Sequence, residues 1–264
     1  MWRYENDGDF LLLNMLEDYI ARNTRHIKEK TVDCFITSMP YERMDRSENG
    51  SAFSLKVAAN MIPKCWNYII FAPHSDVTAK WIEANVLGTV RVVHVHEFML
   101  GRTWLHKETE MLGWRDKVVV FPDKGAKDRY SEMVKSLDFS IEVGQIIYGD
   151  KSRDFESGDI ESLVFKNEDG SEVDTLEDIE VIVMDDLSSF GGTFVRAAEV
   201  LRKLNPSKLF LFLEKSEDSI LKGNVLDNYD VVFTTNLMMD IQNDKKCNEN
   251  LVVIDYSEIL ETIN

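Results

Sequence analysis

Asp185 and Asp186 close the apolar run Val181-Ile182-Val183-Met184 and lead into Leu187-Ser188-Ser189-Phe190-Gly191-Gly192-Thr193. A helical pattern follows, with Phe194, Ala197, Ala198, Leu201 and Leu204 on one face. This is the order of a buried strand running through a small-residue turn into a helix N-terminus. Backbone N–H groups without intrahelical partners, together with the helix dipole, favour an anion at such a place. Glycine there lets a ligand approach the backbone with no Cβ in the way. The two carboxylates would repel a bare phosphate, but they fit a ligand whose sugar hydroxyls, or an attendant metal, lie beside the anion. A ribose phosphate carries both features. The alternative is an ordinary strand-to-helix loop with an acidic cap, because short motifs also occur by chance.

Elements able to position these residues recur along the chain. Apolar runs at 32–38, 68–72, 90–96, 117–121, 141–148, 161–166, 180–184, 208–213, 231–234 and 251–254 read as strands or extended segments. Helical patterns cover 9–28, 54–62, 77–84, 128–137, the stretch after Thr193 and the C-terminus. Strands alternating with helices predict parallel sheets covered on both faces, in two such units joined near 101–117. The polar stretch 167–178 reads as a solvated turn.

Ligand sites in open α/β sheets lie beyond the carboxyl ends of the strands. Met39-Pro40-Tyr41-Glu42-Arg43-Met44-Asp45-Arg46 follows the first strand and Pro73-His74-Ser75-Asp76 the second. Pro122-Asp123-Lys124-Gly125-Ala126-Lys127 follows 117–121, and Gly149-Asp150-Lys151-Ser152-Arg153 follows 141–148. With the Asp185-Asp186 turn, polar, charged or glycine-rich residues stand after each of these strands, a convergence that one loop alone would not supply.

Of 264 residues, 44% are apolar and 29% charged, the balance of a soluble globular protein, and no apolar run approaches the ~20 residues of a membrane span. The N-terminus lacks a signal peptide's basic start and apolar core. Cys34, Cys65 and Cys247 are odd in number and far apart, as in reduced, cytoplasmic thiols. A net charge of −17 argues against nucleic acid as a partner, because phosphate neutralisation dominates such binding. His94 and His96 share one strand face but lack a third ligand, so a structural role is expected. Trp66, Trp81, Trp104 and Trp114 read as packing residues. Neither a Walker-type phosphate loop nor a Gly-x-Ser-x-Gly elbow occurs.

Taken in order, these segments resemble the ribose-phosphate pyrophosphokinase (phosphoribosyl pyrophosphate synthetase) family. Arg43-Met44-Asp45-Arg46 is similar to its Arg-Gln-Asp-Arg segment, with Ser54–Asn60 similar to the helix that follows. His74-Ser75-Asp76 is similar to its His-x-Asp, and Pro122-Asp123-Lys124-Gly125-Ala126 to its pyrophosphate loop. Lys151-Ser152-Arg153 is similar to the Lys-x-Arg of its mobile catalytic loop, and 185–193 to its ribose-5-phosphate loop. The wording at 43–54 and 74–78 is closest to phage-type members. The resemblance implies two type I phosphoribosyltransferase-like domains with mainly parallel sheets, at 1–106 and 107–264, the N-terminal one incomplete. It implies transfer of the diphosphoryl group of ATP to the 1-hydroxyl of ribose 5-phosphate. Lys151 and Arg153 would be catalytic. Arg43, Met44, Asp45, His74 and Asp76 would bind ATP, and His74 and Asp123 would hold Mg²⁺. Asp185, Asp186, Ser189, Phe190, Gly191, Gly192 and Thr193 would bind the ribose phosphate. A cytoplasmic homo-oligomer is expected.

Three departures bear on this reading. The chain begins late, without the family's adenine-seating loop, which leaves an open sheet edge that would favour self-association. Met44 stands where glutamine is usual. Ser189-Phe190-Gly191 stands where Asp-Thr-Ala is usual, so Phe190 either points outward or reshapes the pocket. Diphosphoryl transfer onto ADP-ribose, a non-catalytic regulatory relative and a phosphoribosyltransferase are the competing readings.

Overall fold

The computed structural model describes residues 1–27, 30–47, 50–101, 117–136, 145–153, 160–239 and 249–263. Trp104, Trp114 and Cys247 lie outside them. The chain divides into two compact units, Met1–His94 and Val95–Asn264.

The first unit orders α1 (Gly8–Asn23), β1 (Asp33–Ile36), α2 (Ser54–Met61), β2 (Asn67–Phe71), α3 (Asp76–Asn85) and β3 (Val90–Val93). Its strands form a parallel sheet in the order β1-β2-β3. Phe10 and Leu13 of α1, Leu55, Ala58 and Ala59 of α2 and Ile82 of α3 pack with Ile36, Tyr68 and Ile70 in one apolar core. α1 ends at Asn23, short of the predicted residue 28, and the Thr24 hydroxyl and amide both donate to the Ile20 carbonyl, at 2.6 and 3.0 Å. The edge of β1 expected to be open is partly covered: Trp2 N donates to Phe35 O at 2.7 Å and Thr37 N to Trp2 O at 3.2 Å. The Trp2 side chain anchors that bridge by packing in the core.

The second unit begins with α4 (Val95–Gly101), where the sequence pattern predicts a continuing strand. His94 and His96 therefore do not share a strand face; His96 is buried in α4. Val95 and Met99 are fully buried in this unit, and Val95 N donates to Glu214 Oε1 at 2.8 Å. These contacts put the division at 94/95 rather than 106/107. There follow β4 (Lys117–Phe121), α5 (Lys124–Ser136), β5 (Gln145–Arg153), β6 (Ile160–Asn167), β7 (Glu180–Ser188), α6 (Gly192–Leu201), β8 (Lys208–Ser216), α7 (Val225–Asn228), β9 (Val231–Thr235), β10 (Leu251–Ile254) and α8 (Tyr256–Ile263). The seven-stranded sheet runs β10-β9-β8-β7-β4-β5-β6, parallel except for β6, which pairs antiparallel with β5. Val118–Phe121, Val181–Met184 and Leu209–Leu213 are buried throughout. Unbroken apolar runs are what a parallel sheet covered on both faces requires.

Candidate functional site

In the second unit, β4 and β7 are adjacent parallel strands, with Val120 opposite Val183. Their carboxyl ends therefore bring Asp123 near Asp185 and Asp186. β7 extends through Ser188, past the predicted end at Met184, so both aspartates are strand residues. Asp185 is half-buried. Its carboxyl is held well above the ordinary range, first by loss of solvent, then by the neighbouring carboxylates of Asp186 and Asp123. Asp186 is buried and meets Arg129 Nη1 of α5 at 3.2 Å. The Arg129 guanidinium is held further protonated by Asp186 against the opposing effect of burial.

Asp123 precedes α5, and its Oδ1 accepts Ala126 N at 3.0 Å, capping the helix. The helix begins at Lys124, earlier than the predicted 128, so the Pro122–Ala126 segment is itself a strand end and a helix N-terminus. Behind the acidic group, His96 Nε2 lies 2.9 Å from Asp185 O. Glu214, fully buried at the end of β8, accepts from Tyr130 Oη at 2.8 Å and from the amides of Val95 and His96 at 2.8 and 3.3 Å.

The turn through Gly191 joins β7 to α6. Gly191 has φ +80° and a Cβ there would stand 2.7 Å from Val225 Cβ, so only glycine fits. A Cβ on Gly192 would meet no protein atom within 4 Å. The Gly191 carbonyl receives Phe194 N and Val195 N at 2.9 and 3.0 Å, which aims the first amides of α6 out of the turn. Ser189 Oγ is turned to Glu217 Oε2 at 2.7 Å and Ser219 Oγ at 3.0 Å. Phe190 points outward and is 61% exposed. A groove of about 700 Å³ runs from Phe190 and Gly192 along α6 past Arg196 to Lys203.

Lys151 and Arg153 fall within β5, opposite Leu163 and Ile160 of β6, where a loop is predicted. Pairing with β6 continues the ladder beyond Tyr148.

In the first unit the loops after β1 and β2 meet. Glu42, buried, accepts Ser38 Oγ and His74 N, both at 3.2 Å, and Ser75 Oγ donates to Asp45 Oδ2 at 2.7 Å. Asp45 also lies 3.5 Å from Arg46 Nε. Arg43 and Met44 are exposed. Asp76 opens α3, turned to solvent and 3.8 Å from Lys80 Nζ. Tyr41 (φ +62°) and Ala72 (φ +44°) hold left-handed conformations in these two loops. Such strain costs about 1–3 kcal/mol per residue and concentrates at binding sites. Among the described residues, no group of three or more His, Cys, Asp or Glu side chains is arranged to hold a metal.

The sequence reading missed Arg129, Glu214 and Glu217. Glu214 carried a signal, a carboxylate closing the apolar run Leu209–Leu213. Arg129 carried none, since its partner Asp186 is 57 positions away and only the sheet order joins them.

No family model matches the chain. It is similar to a ribose-phosphate pyrophosphokinase from Sulfolobus acidocaldarius, 23% identical over 231 residues, covering 83% of this chain and 69% of the relative. It is also similar to ribose-phosphate pyrophosphokinase 3 of Saccharomyces cerevisiae, 23% identical over 263 residues, covering 97% of this chain and 72% of the relative. Among solved structures, phosphoribosylpyrophosphate synthetase from Mycobacterium smegmatis shares the fold. The TM-score is 0.67 at 18% identity, over 94% of this chain and 75% of that one.

Proposed function

We propose that this chain is a ribose-phosphate pyrophosphokinase, which moves the diphosphoryl group of ATP to the 1-hydroxyl of ribose 5-phosphate. The observation that carries the reading is the acidic strand end and helix N-terminus at one edge of the second unit. There Asp185 and Asp186 stand at one strand end, immediately before a turn that directs helix amides outward. The similarity to named pyrophosphokinases along 83% and 97% of the chain supports it.

In this reading the acceptor's 5-phosphate sits on the amides of Gly191, Gly192 and Thr193, with the Thr193 hydroxyl beside them. Asp185 and Asp186 accept from the ribose hydroxyls, which fixes the 1-hydroxyl towards the donor. Ser189 and Phe190 contribute backbone to the turn. Arg129 holds the Asp186 carboxylate in position. Arg43, Met44, Asp45, His74 and Asp76 serve ATP on the strength of the resemblance.

As the oxygen of the 1-hydroxyl bonds to the β-phosphorus, the bridge to the α-phosphate breaks, AMP leaves and the hydroxyl proton is released. The transition state is loose and highly charged, so positioning and cations supply the catalysis. Lys151 and Arg153 neutralise the moving group.

The crowding of Asp185 by Asp186 and Asp123 fits a divalent cation, whose charge would offset theirs. Mg²⁺ takes oxygen ligands and is usually held by one or two carboxylates together with phosphate oxygens, so it needs no cage built from protein alone. Asp123 is the residue that would hold it in this unit; for the first unit, the resemblance alone makes His74 a Mg²⁺ ligand. The ion would supply charge neutralisation on the phosphates.

The test is AMP formation by the purified protein given ATP, Mg²⁺ and ribose 5-phosphate. The expected outcome is AMP and phosphoribosyl pyrophosphate in equal amounts, with Lys151→Ala and Arg153→Ala each lowering kcat by 100-fold or more, on the order of 3 kcal/mol. Absence of AMP would refute the reading.

A further inference from the structure

The turn between β7 and α6 has a protein side and an open side. Against the protein side lies the segment between β8 and α7. Glu217 N donates to Ser188 O at 2.8 Å, and Glu217 Oε2 accepts from Ser189 Oγ at 2.7 Å and from Ser219 Oγ at 3.2 Å. The two serine hydroxyls are themselves 3.0 Å apart, which closes a ring of three side chains. One residue thus holds two successive residues of the turn, through its amide and through its carboxylate. Further along, the backbone at Gly223 passes so near the turn that a Cβ there would stand 2.1 Å from Phe190 O. On the open side, a Cβ on Gly192 would meet no protein atom within 4 Å.

The segment can brace the turn because it is itself fixed. Ile220 within it and Val225 just after it are fully buried in the core of this unit. Ile220 N donates to Glu217 O at 3.0 Å. β7 and β8 still pair at Ser188 and Ser216, so Glu217 leaves the sheet beside the turn it meets. A hydrogen bond to a carboxylate is about twice as strong as one between neutral groups. Ser189 donates its one hydroxyl proton to this bond, and what the turn offers a ligand is its backbone amides.

We propose that Glu217 is a positioning residue for the 5-phosphate of the acceptor, acting through Ser189 to fix the turn that receives it. The inference rests on the pyrophosphokinase reading, in which the amides of Gly191, Gly192 and Thr193 bind that phosphate. Glu217 bonds to the turn and not to the acceptor, so its loss weakens ground state and transition state alike.

Calorimetric binding of ribose 5-phosphate without ATP reads this role independently of turnover. In Glu217→Ala, Kd is expected to rise about tenfold, the effect of losing a hydrogen bond to a charged acceptor. KM for ribose 5-phosphate should rise with it, while kcat and KM for ATP stay within about twofold. Glu217→Gln keeps an oxygen for both hydroxyls and should bind within about threefold of the parent. Ser189→Ala should lose as much as Glu217→Ala, and the double variant no more than either, because all three remove one interaction. A carboxylate acting on the phosphate by charge alone would repel it, so both Glu217 variants would then bind more tightly than the parent. Tighter binding, additive losses in the double variant, or a lowered melting temperature with Kd unchanged would each overturn the proposal. If the parent binds ribose 5-phosphate but forms no AMP, the pyrophosphokinase reading falls and the Kd values still decide the role of Glu217. A parent that does not bind ribose 5-phosphate overturns both.

Discussion

Asp185 is the residue at which folding and function pull in opposite directions. Its carboxyl is half-buried beside Asp186 and Asp123, and all three influences raise its pKa. A group whose pKa is raised by folding stabilises fully below the ordinary carboxylate value and loses that contribution as pH rises through the raised one. Ionised Asp185 therefore costs stability at neutral pH when no cation is bound. Asp185→Asn is expected to raise the melting temperature at pH 8 by roughly 2–4 °C, the effect of about 1 kcal/mol in a chain of this size. The gain should shrink as pH falls towards 4, the ordinary carboxylate range, in thermal melts without Mg²⁺. The same variant is expected to lose ribose 5-phosphate binding by calorimetry. A melting temperature that drops, or a gain that does not vary with pH, would contradict this account. Arg129 shows why such a site is only half legible: Asp185 and Asp186 announce themselves as paired acids after an apolar run, whereas the cation that holds Asp186 comes from another element.

In the proposed function, the turn into α6 separates the needs of the fold from those of the ligand at two adjacent glycines. Gly191 is required by the chain, through its positive φ and the approach of Val225 Cβ. Gly191→Ala is expected to destabilise by about 1–3 kcal/mol, the range for overpacking, measured by urea unfolding. Gly192 faces no protein atom where its Cβ would stand. Gly192→Ala is expected to leave stability unchanged or higher by up to about 1 kcal/mol. It should nonetheless weaken ribose 5-phosphate binding at least tenfold, about 1.4 kcal/mol. Unaltered affinity in Gly192→Ala would remove the phosphate from this turn. Most elements of this kind were readable as apolar runs bounded by turn residues. The readable signal failed at ends: β3 stops at Val93 and α4 starts at Val95, because Glu214 of β8 accepts the amides of Val95 and His96. That pairing spans 119 positions and leaves no local trace.

For the molecule as a whole, a net charge of −17 is a self-repulsion that folding must overcome. Raising ionic strength from about 0.01 M to about 0.15 M shortens the screening length from about 30 Å to about 8 Å. The melting temperature is therefore expected to rise with NaCl over this range. At matched ionic strength MgCl₂ should raise it further, because an ion bound to the folded state stabilises by mass action. In Asp123→Asn/Asp185→Asn the excess of MgCl₂ over NaCl should vanish. An equal response of the parent protein to both salts would argue against a Mg²⁺ site at these carboxylates.

Local chemistry alone determines much of this protein. Buried parallel strands announce themselves as unbroken apolar runs, and paired aspartates before a Gly-Gly turn announce a strand end running into a helix, because both effects act within a few residues. Tertiary structure decided what depends on distant partners. Sheet order set Asp123 beside Asp185 and Asp186 and brought Arg129 to Asp186. Antiparallel pairing with β6 made Lys151 and Arg153 strand residues. Burial turned Phe10 and Leu13 of α1 inward and left Leu11, Leu12 and Met15 in solvent. These outcomes follow from which surfaces meet across the fold, and pairwise contact energies between distant segments leave no periodicity in the chain that carries them.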